Sequence, residues 1–255
     1  MTDALFKPLF KPCIVIPVFN HEHAIGAVVA RLLAHSVPLI LVDDASLAAG
    51  ARTLDALAAA HPAQVTLLRH PRNLGKGGAV MTGCRHAHAQ GYSHALQIDA
   101  DGQHDTNDVP RFLAQAQAAP GAVVVGHPMY DASVPAARFY GRYATHIWVW
   151  INTLSLQIRD SMCGFRVYPL APLMALARKR MLGQRMNFDT DVLVRLYWDG
   201  LAMVNLPTRV GYPSDGVSHF QLWRDNVLIT RMHTRLFFGM LWRAPRLLAR
   251  HWRAR

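Results

Sequence analysis

The sequence predicts an α/β fold, a mostly parallel central sheet with helices on both faces. Two observations carry this. Short β-branched runs alternate with segments of helical periodicity through the first half, the strand–helix–strand rhythm of a parallel sheet. Three of those runs also end on polar or acidic residues, at Pro17–Asn20, Asp43-Asp44 and Asp99–Asp101. Ligands of open α/β sheets bind outside the carboxyl ends of their strands.

The elements follow in order. "CIVIPVF" (13–19) is a buried strand, and Ile25, Val28, Val29, Leu32 and Leu33 then mark one face of a helix. "LILV" (39–42) is a second strand ending at Asp43-Asp44, 50–60 an alanine-rich helix, and "VTLLR" (65–69) a third strand. A glycine-rich turn, "NLGKGG" (73–78), opens a helix that stops at Gly91. "HALQID" (94–99) is a fourth strand, 107–118 a helix and "AVVVG" (122–126) a fifth strand. The second half is less regular. Ile147, Ile151, Leu154 and Ile158 form a helical stripe flanked by Trp148 and Trp150. "DSMCGFRVYP" (160–169) is a loop entering a strand-like run, and "PLMALARKRM" and "FDTDVLVRLYWDG" are helices, the second closed by Gly200. "LAMVNLP" (201–207) is a late strand.

A chain of 255 residues can bury a sizeable core. Cys13, Cys84 and Cys163 are widely spaced without a CxxC, which fits reduced cytoplasmic thiols rather than disulfides or zinc. The N-terminus lacks the basic, apolar and small-residue regions of a signal peptide. The net charge is +11, and residues 209–255 contribute +7 of it, with nine Arg against two Asp. Apolar runs such as "LFFGMLW" lie between those arginines and suit a membrane surface better than nucleic acid. No RRM, KH or zinc-finger pattern accompanies them, so no nucleic-acid partner is expected. The nearest approach to a spanning helix, "YATHIWVWINTLSLQI" (143–158), is uncharged for 16 residues but interrupted by polar ones and too short to span a bilayer.

The chemistry concentrates at Asp99-Ala100-Asp101-Gly102-Gln103. Two carboxylates in a D-x-D pattern at a strand end, with a Gln carbonyl nearby, can hold Mg²⁺ or Mn²⁺ and so clamp a nucleotide diphosphate. The all-oxygen donor set does not suit zinc. A solvated turn leading into a helix cap is the plainer reading of the same residues. Asp43 and Asp44 can accept from a nucleobase, and Lys76 with the free N–H groups of its helix start can meet phosphate. The turn around Lys76 fits neither the Walker nor the Rossmann pattern. His86 and His88 point in different directions on their helix, and no nucleophile turn is present, so covalent catalysis is not expected.

Taken together, "IPVFN", "VDDAS", "NLGKGGA", "IDADGQH", "DSMCGFRVY", "FDTDVLVR" and "GVSHF" occur in the order found in family 2 glycosyltransferases. The chain resembles the branch containing dolichyl- and polyprenyl-phosphate sugar synthases, over about residues 13–220. The resemblance implies a GT-A fold, with a nucleotide-sugar-binding half (13–126), an acceptor half (127–220) and a basic amphipathic tail (221–255). It implies inverting transfer of a hexose from a UDP- or GDP-sugar to a lipid or lipid-phosphate acceptor, on the inner face of the cytoplasmic membrane.

By motif position, Pro17, Asn20, Asp43 and Asp44 would line the nucleoside pocket. Asp99, Ala100 and Lys76 would meet the donor phosphates, and Asp99, Asp101 and Gln103 the metal. Arg166 would lie near donor or acceptor phosphates. Asp191, or else Asp189, would deprotonate an acceptor hydroxyl, whereas a phosphate acceptor needs no base. Ser218 and His219 match the loop that closes over the diphosphate. That loop departs from the family pattern: "YPSDGVSH" carries Pro213 and Asp215 where positive charge is usual, and His219 in place of Lys. The accepting oxygen is thereby open between phosphate and hydroxyl. Rival readings are a non-catalytic membrane-surface protein and a sugar nucleotidyltransferase. The second would need a glycine-rich basic loop after the first strand, where "PVFNHEHAIGA" stands.

Overall fold

The computed structural model describes residues 9–129, 136–211 and 221–253. Seven strands form one sheet: β1 (Pro12–Val18), β2 (Leu39–Asp43), β3 (Val65–Arg69), β4 (His94–Gln97), β5 (Val123–Met129), β6 (Arg166–Pro169) and β7 (Met203–Arg209). Their order across the sheet is β3-β2-β1-β4-β6-β5-β7. All pairings are parallel except those of β6, which runs antiparallel to both β4 and β5. The central strands read as unbroken apolar runs because helices cover both faces. Alternation within β1 sends Ile14 and Ile16 into one core layer and Cys13 and Val15 into the other.

Helices α1 (Ile25–Leu33), α2 (Ala48–Ala60) and α4 (Val109–Ala118) cover one face. Ile25, Leu32, Leu54 and Phe112 are their buried contributions. The other face carries α3 (Lys76–Ala89), α5 (Ala136–Thr153), α6 (Leu170–Lys179), α7 (Phe188–Trp198) and α8 (Leu222–Arg253), anchored by Val80, Val149, Leu173, Phe188 and Leu193. Pro110 sits in the first turn of α4, where a missing N–H costs nothing.

Three features differ from the pattern-based expectation. Strand β4 ends at Gln97, so Asp99 lies in the loop beyond it. The segment before Phe165 turns back into an antiparallel strand, which hydrophobic periodicity alone does not signal. Third, the stripe through Ile147, Ile151, Leu154 and Ile158 is not the buried face of a helix. Helix α5 stops at Thr153, because Leu154 takes the left-handed conformation at φ 48°. Ile147 and Ile151 point outward, while Val149, Asn152 and Thr153 are buried. The Asn152 side-chain Nδ2 meets His233 Nδ1 at 3.2 Å, and its backbone carbonyl accepts from Trp198 Nε1 at 2.8 Å.

The basic C-terminal segment is a single helix that folds back onto α5 and α7. Met232, Leu236, Met240 and Leu247 are buried in the shared core. Arg243 lies 4.6 Å over the Trp198 ring, and Arg250 donates to the Tyr197 carbonyl at 2.8 Å. Part of the positive charge is thus spent on aromatic faces and helix ends rather than left in solvent. Among the described residues no helix is long and apolar enough to cross a membrane.

Because Leu236 has no exposed surface, Leu236→Ala is expected to lower stability by about 2–5 kcal/mol. Urea denaturation checks this. An unchanged midpoint would mean that α8 does not belong to the cooperative core.

Candidate active site

Three strand ends meet at one edge of the sheet, and their loops are tied together by carboxylates. After β1, Asn20 takes φ 52°, its N–H donates to Ser46 Oγ (3.1 Å) and its Oδ1 accepts from Leu47 N–H (2.8 Å). At the end of β2, Asp43 accepts from Ser46 N–H at 2.8 Å and from Arg69 Nε at 2.7 Å. Asp44 accepts from His70 Nδ1 and from the N–H groups of Leu74 and Gly75, all at 2.7 Å. Asp44 therefore fixes the turn from which α3 and Lys76 start. Gly77 lets that start press on α7, since a Cβ there would fall 2.3 Å from Phe188 Cβ.

Lys76 reaches from that turn to the centre of the site. Its Nζ lies 2.9 Å from both oxygens of Asp99, donating to Oδ2, and 2.9 Å from Asp189 Oδ2. Gln97 Nε2 donates to Asp189 Oδ1 at 3.1 Å, and Tyr168 OH donates to Gln97 Oε1 at 3.3 Å. Arg166 is opposite Gln97 in the antiparallel register. It is fully buried, donating to the carbonyls of Ser161 and Asp189 at 2.6 Å. The same register carries Gly164 against Asp99: a Cβ on Gly164 would sit 2.3 Å from Asp99 Oδ2, so any larger residue would push the Asp99 carboxylate from its place. His104 Nε2 lies 3.5 Å from Asp99 Oδ2, its ring stacked on Phe165.

The electrostatics follow from this packing. Burial alone would raise the Asp99 pKa, but the Lys76 ammonium outweighs it and holds the carboxyl well below the usual range. Burial would likewise lower Lys76, and the carboxylates of Asp189 and Asp99 instead raise it above its ordinary value. Arg166 is also raised, burial being overcome by Tyr168 and Asp189. At the rim, Asp160 would be raised by burial but is lowered by Arg142, which grips it at 2.7 and 2.8 Å. All three cysteines are unpaired and buried, and burial pushes the Cys84 and Cys163 thiols up to about 12.

The structure brings most of the expected site residues into one network and engages several of them in contacts within the protein. Pro17 and Ala100 are buried, as are Asp43 and Asp44, whose oxygens are taken by loop N–H groups, Arg69 and His70. These residues shape the loops and present no free carboxylate. Lys76 is committed to two carboxylates, and Arg166 has no surface with which to touch a ligand. Asp191 turns away from the centre, 2.6 Å from Arg195 Nε and accepting from Gly183 N–H. Ser218 and His219 lie outside the described residues. Gln97, Tyr168 and Gly164 join the site without having been singled out. A glutamine inside an otherwise apolar buried strand was the available signal for the first.

Asp101 and Gln103 remain partly exposed beside this network. Asp101 Oδ1 accepts from Gln103 N–H at 3.0 Å, and among the described residues no group engages Oδ2. No three His, Cys, Asp or Glu side chains form a cage among the described residues. That arrangement suits a hard cation such as Mg²⁺, which takes one or two carboxylates and completes its shell with water and substrate phosphate.

The sequence matches the model of the glycosyl transferase family 2 domain over residues 13–185. The chain belongs to that family. It is 25% identical over 229 residues to a polyprenol monophosphomannose synthase of Mycolicibacterium smegmatis, covering 84% of this chain and 83% of the relative. It is 27% identical to an undecaprenyl-phosphate mannosyltransferase of Micrococcus luteus, covering 76% and 80%. Among solved structures, glucosyl-3-phosphoglycerate synthase from Mycobacterium tuberculosis, with Mn²⁺ and UDP-glucose, superimposes with TM-score 0.62 at 17% identity, covering 90% of this chain and 78% of that one. The mannosyltransferase PcManGT from Pyrobaculum calidifontis, with GDP-Man and Mn²⁺, gives 0.58 at 15% identity, covering 94% and 73%. The fold is GT-A, and the chain is a glycosyltransferase.

Replacing Lys76 by Met takes the shared cation from the partly buried Asp99 and from Asp189, which keeps Arg166 Nη1 at 3.6 Å, with an expected cost of about 1.5–3 kcal/mol at pH 7. The lowered Asp99 pKa stabilises the wild type fully above the unfolded value of about 3.9, and this is lost as pH falls through the folded value. The raised Lys76 pKa stabilises below about pH 10.4 and is lost as pH rises through its folded value. Urea titrations should therefore show the gap between wild type and variant narrowing from pH 7 to pH 3.5. An undiminished gap at pH 3.5 would contradict the clamp.

Proposed function

We propose that this glycosyltransferase moves a hexose, with inversion, from a UDP- or GDP-sugar to a lipid phosphate, working from the inner face of the cytoplasmic membrane. The observation that carries the choice of acceptor is the state of the two α7 aspartates. Asp189 faces Lys76 and accepts from Gln97, and Asp191 is held by Arg195 and Gly183. Neither is a free base, and a phosphate oxygen is already an anion that needs none. The names of relatives acting on polyprenol and undecaprenyl phosphates support the same choice.

In this reading the acceptor phosphate oxygen forms a bond to the anomeric carbon as the bond from that carbon to the diphosphate oxygen breaks. The electron pair leaves with the nucleoside diphosphate. Asp101, with Asp99 and Gln103, would hold Mg²⁺ or Mn²⁺, which when bound neutralises the departing diphosphate. The Lys76 clamp keeps Asp99 ionised and fixed, and Gly164 keeps the chain close enough to pack against it. Positioning and fixed charge supply the catalysis.

Calorimetric titration with UDP and GDP, each with and without Mn²⁺, tests the donor half of this reading. One nucleotide is expected to bind in a metal-dependent manner, and Asp101→Asn should weaken it by about tenfold or more, roughly 1.4 kcal/mol. Equal binding without metal, or in Asp101→Asn, would refute the assignment.

A further inference from the structure

Helix α8 has two apolar stripes, and only one is used inside the protein. Met232, Leu236, Met240 and Leu247 face the core. At 3.6 residues per turn, Trp223, Phe238, Leu241, Trp242, Leu248 and Trp252 fall within about a third of the circumference, on the opposite side. All six are exposed, the three tryptophans at 85%, 87% and 85%. Single exposed apolar residues, such as Trp223, which exposed Thr230, Arg231 and Thr234 separate from the rest, need no explanation, but the five aligned between Phe238 and Trp252 do.

The stripe continues onto α5. Trp148 lies with its ring 6.0 Å from His233 and 6.3 Å from Phe237 of α8, and Ile147, Trp148 and Ile151 are exposed beside it. By the same helical period, Arg224, Arg231, Arg235 and Arg246 line one margin of the α8 stripe. They are exposed, and among the described residues none has an ion-pair partner. The one acid of the helix, Asp225, is buried and accepts from Gln221 N–H. Tryptophan and aliphatic residues bordered by these arginines form a surface that is apolar in the middle and cationic at the edge. Such a surface complements the headgroup–acyl boundary of an anionic bilayer.

We propose that the outward faces of α8 and α5 form one docking surface for an anionic lipid bilayer, on which the enzyme lies with α8 in the plane of the interface. This deepens the proposed function and rests on it only for its purpose. Helix α5 connects the surface to the site: Arg142 in its second turn grips Asp160, Asp160 accepts from Met162 and Cys163 N–H, and the next residue, Gly164, packs against Asp99.

The test is sedimentation of the full chain with vesicles of phosphatidylcholine alone or with phosphatidylglycerol, alongside tryptophan quenching by brominated lipids. Binding should require phosphatidylglycerol, weaken with salt, and be accompanied by quenching. Replacing Trp223, Trp242 and Trp252 with Ser, or Arg231 and Arg235 with Glu, should each weaken binding by about tenfold or more. Because quenching is read on the wild type, misfolding of a variant does not decide the outcome. No binding to either vesicle, equal binding to both, or binding unaltered in folded variants would overturn the proposal. So would a wild-type dimer that the tryptophan variant dissociates, since the face would then be covered by a second copy. Nucleotide binding by calorimetry is independent of vesicles, so failure of this surface and failure of the donor reading are separable.

Discussion

The ammonium of Lys76 between Asp99 and Asp189 holds the site together. It joins three parts of the chain that are far apart in sequence: the turn that opens α3, the loop after β4 and the first turn of α7. The partly buried Asp99 and the buried Asp189 share this one ammonium, with Arg166 3.6 Å from Asp189, and the Lys76 charge lets Asp99 remain ionised. The surrounding structure serves that contact. Asp44 fixes the turn that aims Lys76, Gln97 orients Asp189, and Arg166 pins the Asp189 backbone. A buried ion group of this kind is weak evidence for net stability, because desolvation offsets much of the attraction. Its value here is geometric.

The antiparallel strand β6 is the second constraint. Running against β4, it places Arg166 beside Gln97 and Gly164 beside Asp99. A parallel strand at that position would have put the "CGFR" residues at the other end of the sheet. The strand reversal is what lets the second half of the chain contribute to a site built at the carboxyl ends of β1, β2 and β4.

Much of the fold was legible because the first five strands and their helices obey simple periods. Buried parallel strands are unbroken apolar runs, and α1 shows its buried face at i, i+3, i+4 and i+7. The second half was harder. Its strand β6 spans only four residues, and α5 carries apolar residues on both its buried and its exposed side, so its stripe pointed to the wrong face. The residues of this network could be picked out in the sequence, but their contacts could not. Which carboxylates are saturated depends on loop N–H groups and on arginines brought in by tertiary folding, as Arg69 is to Asp43 and Arg195 to Asp191. Asp101 and Asp99 look alike in "DAD" and both are partly exposed, yet Lys76 engages only Asp99.

The occupied state of both α7 aspartates makes the choice of acceptor the centre of the account. The most direct measurement is sugar transfer from the nucleotide-sugar that the protein binds to a short-chain prenyl phosphate, compared with the corresponding prenyl alcohol. The account predicts product with the phosphate and none with the alcohol. Transfer to the alcohol, abolished by Asp189→Asn or Asp191→Asn in a folded protein, would contradict it and identify a working general base.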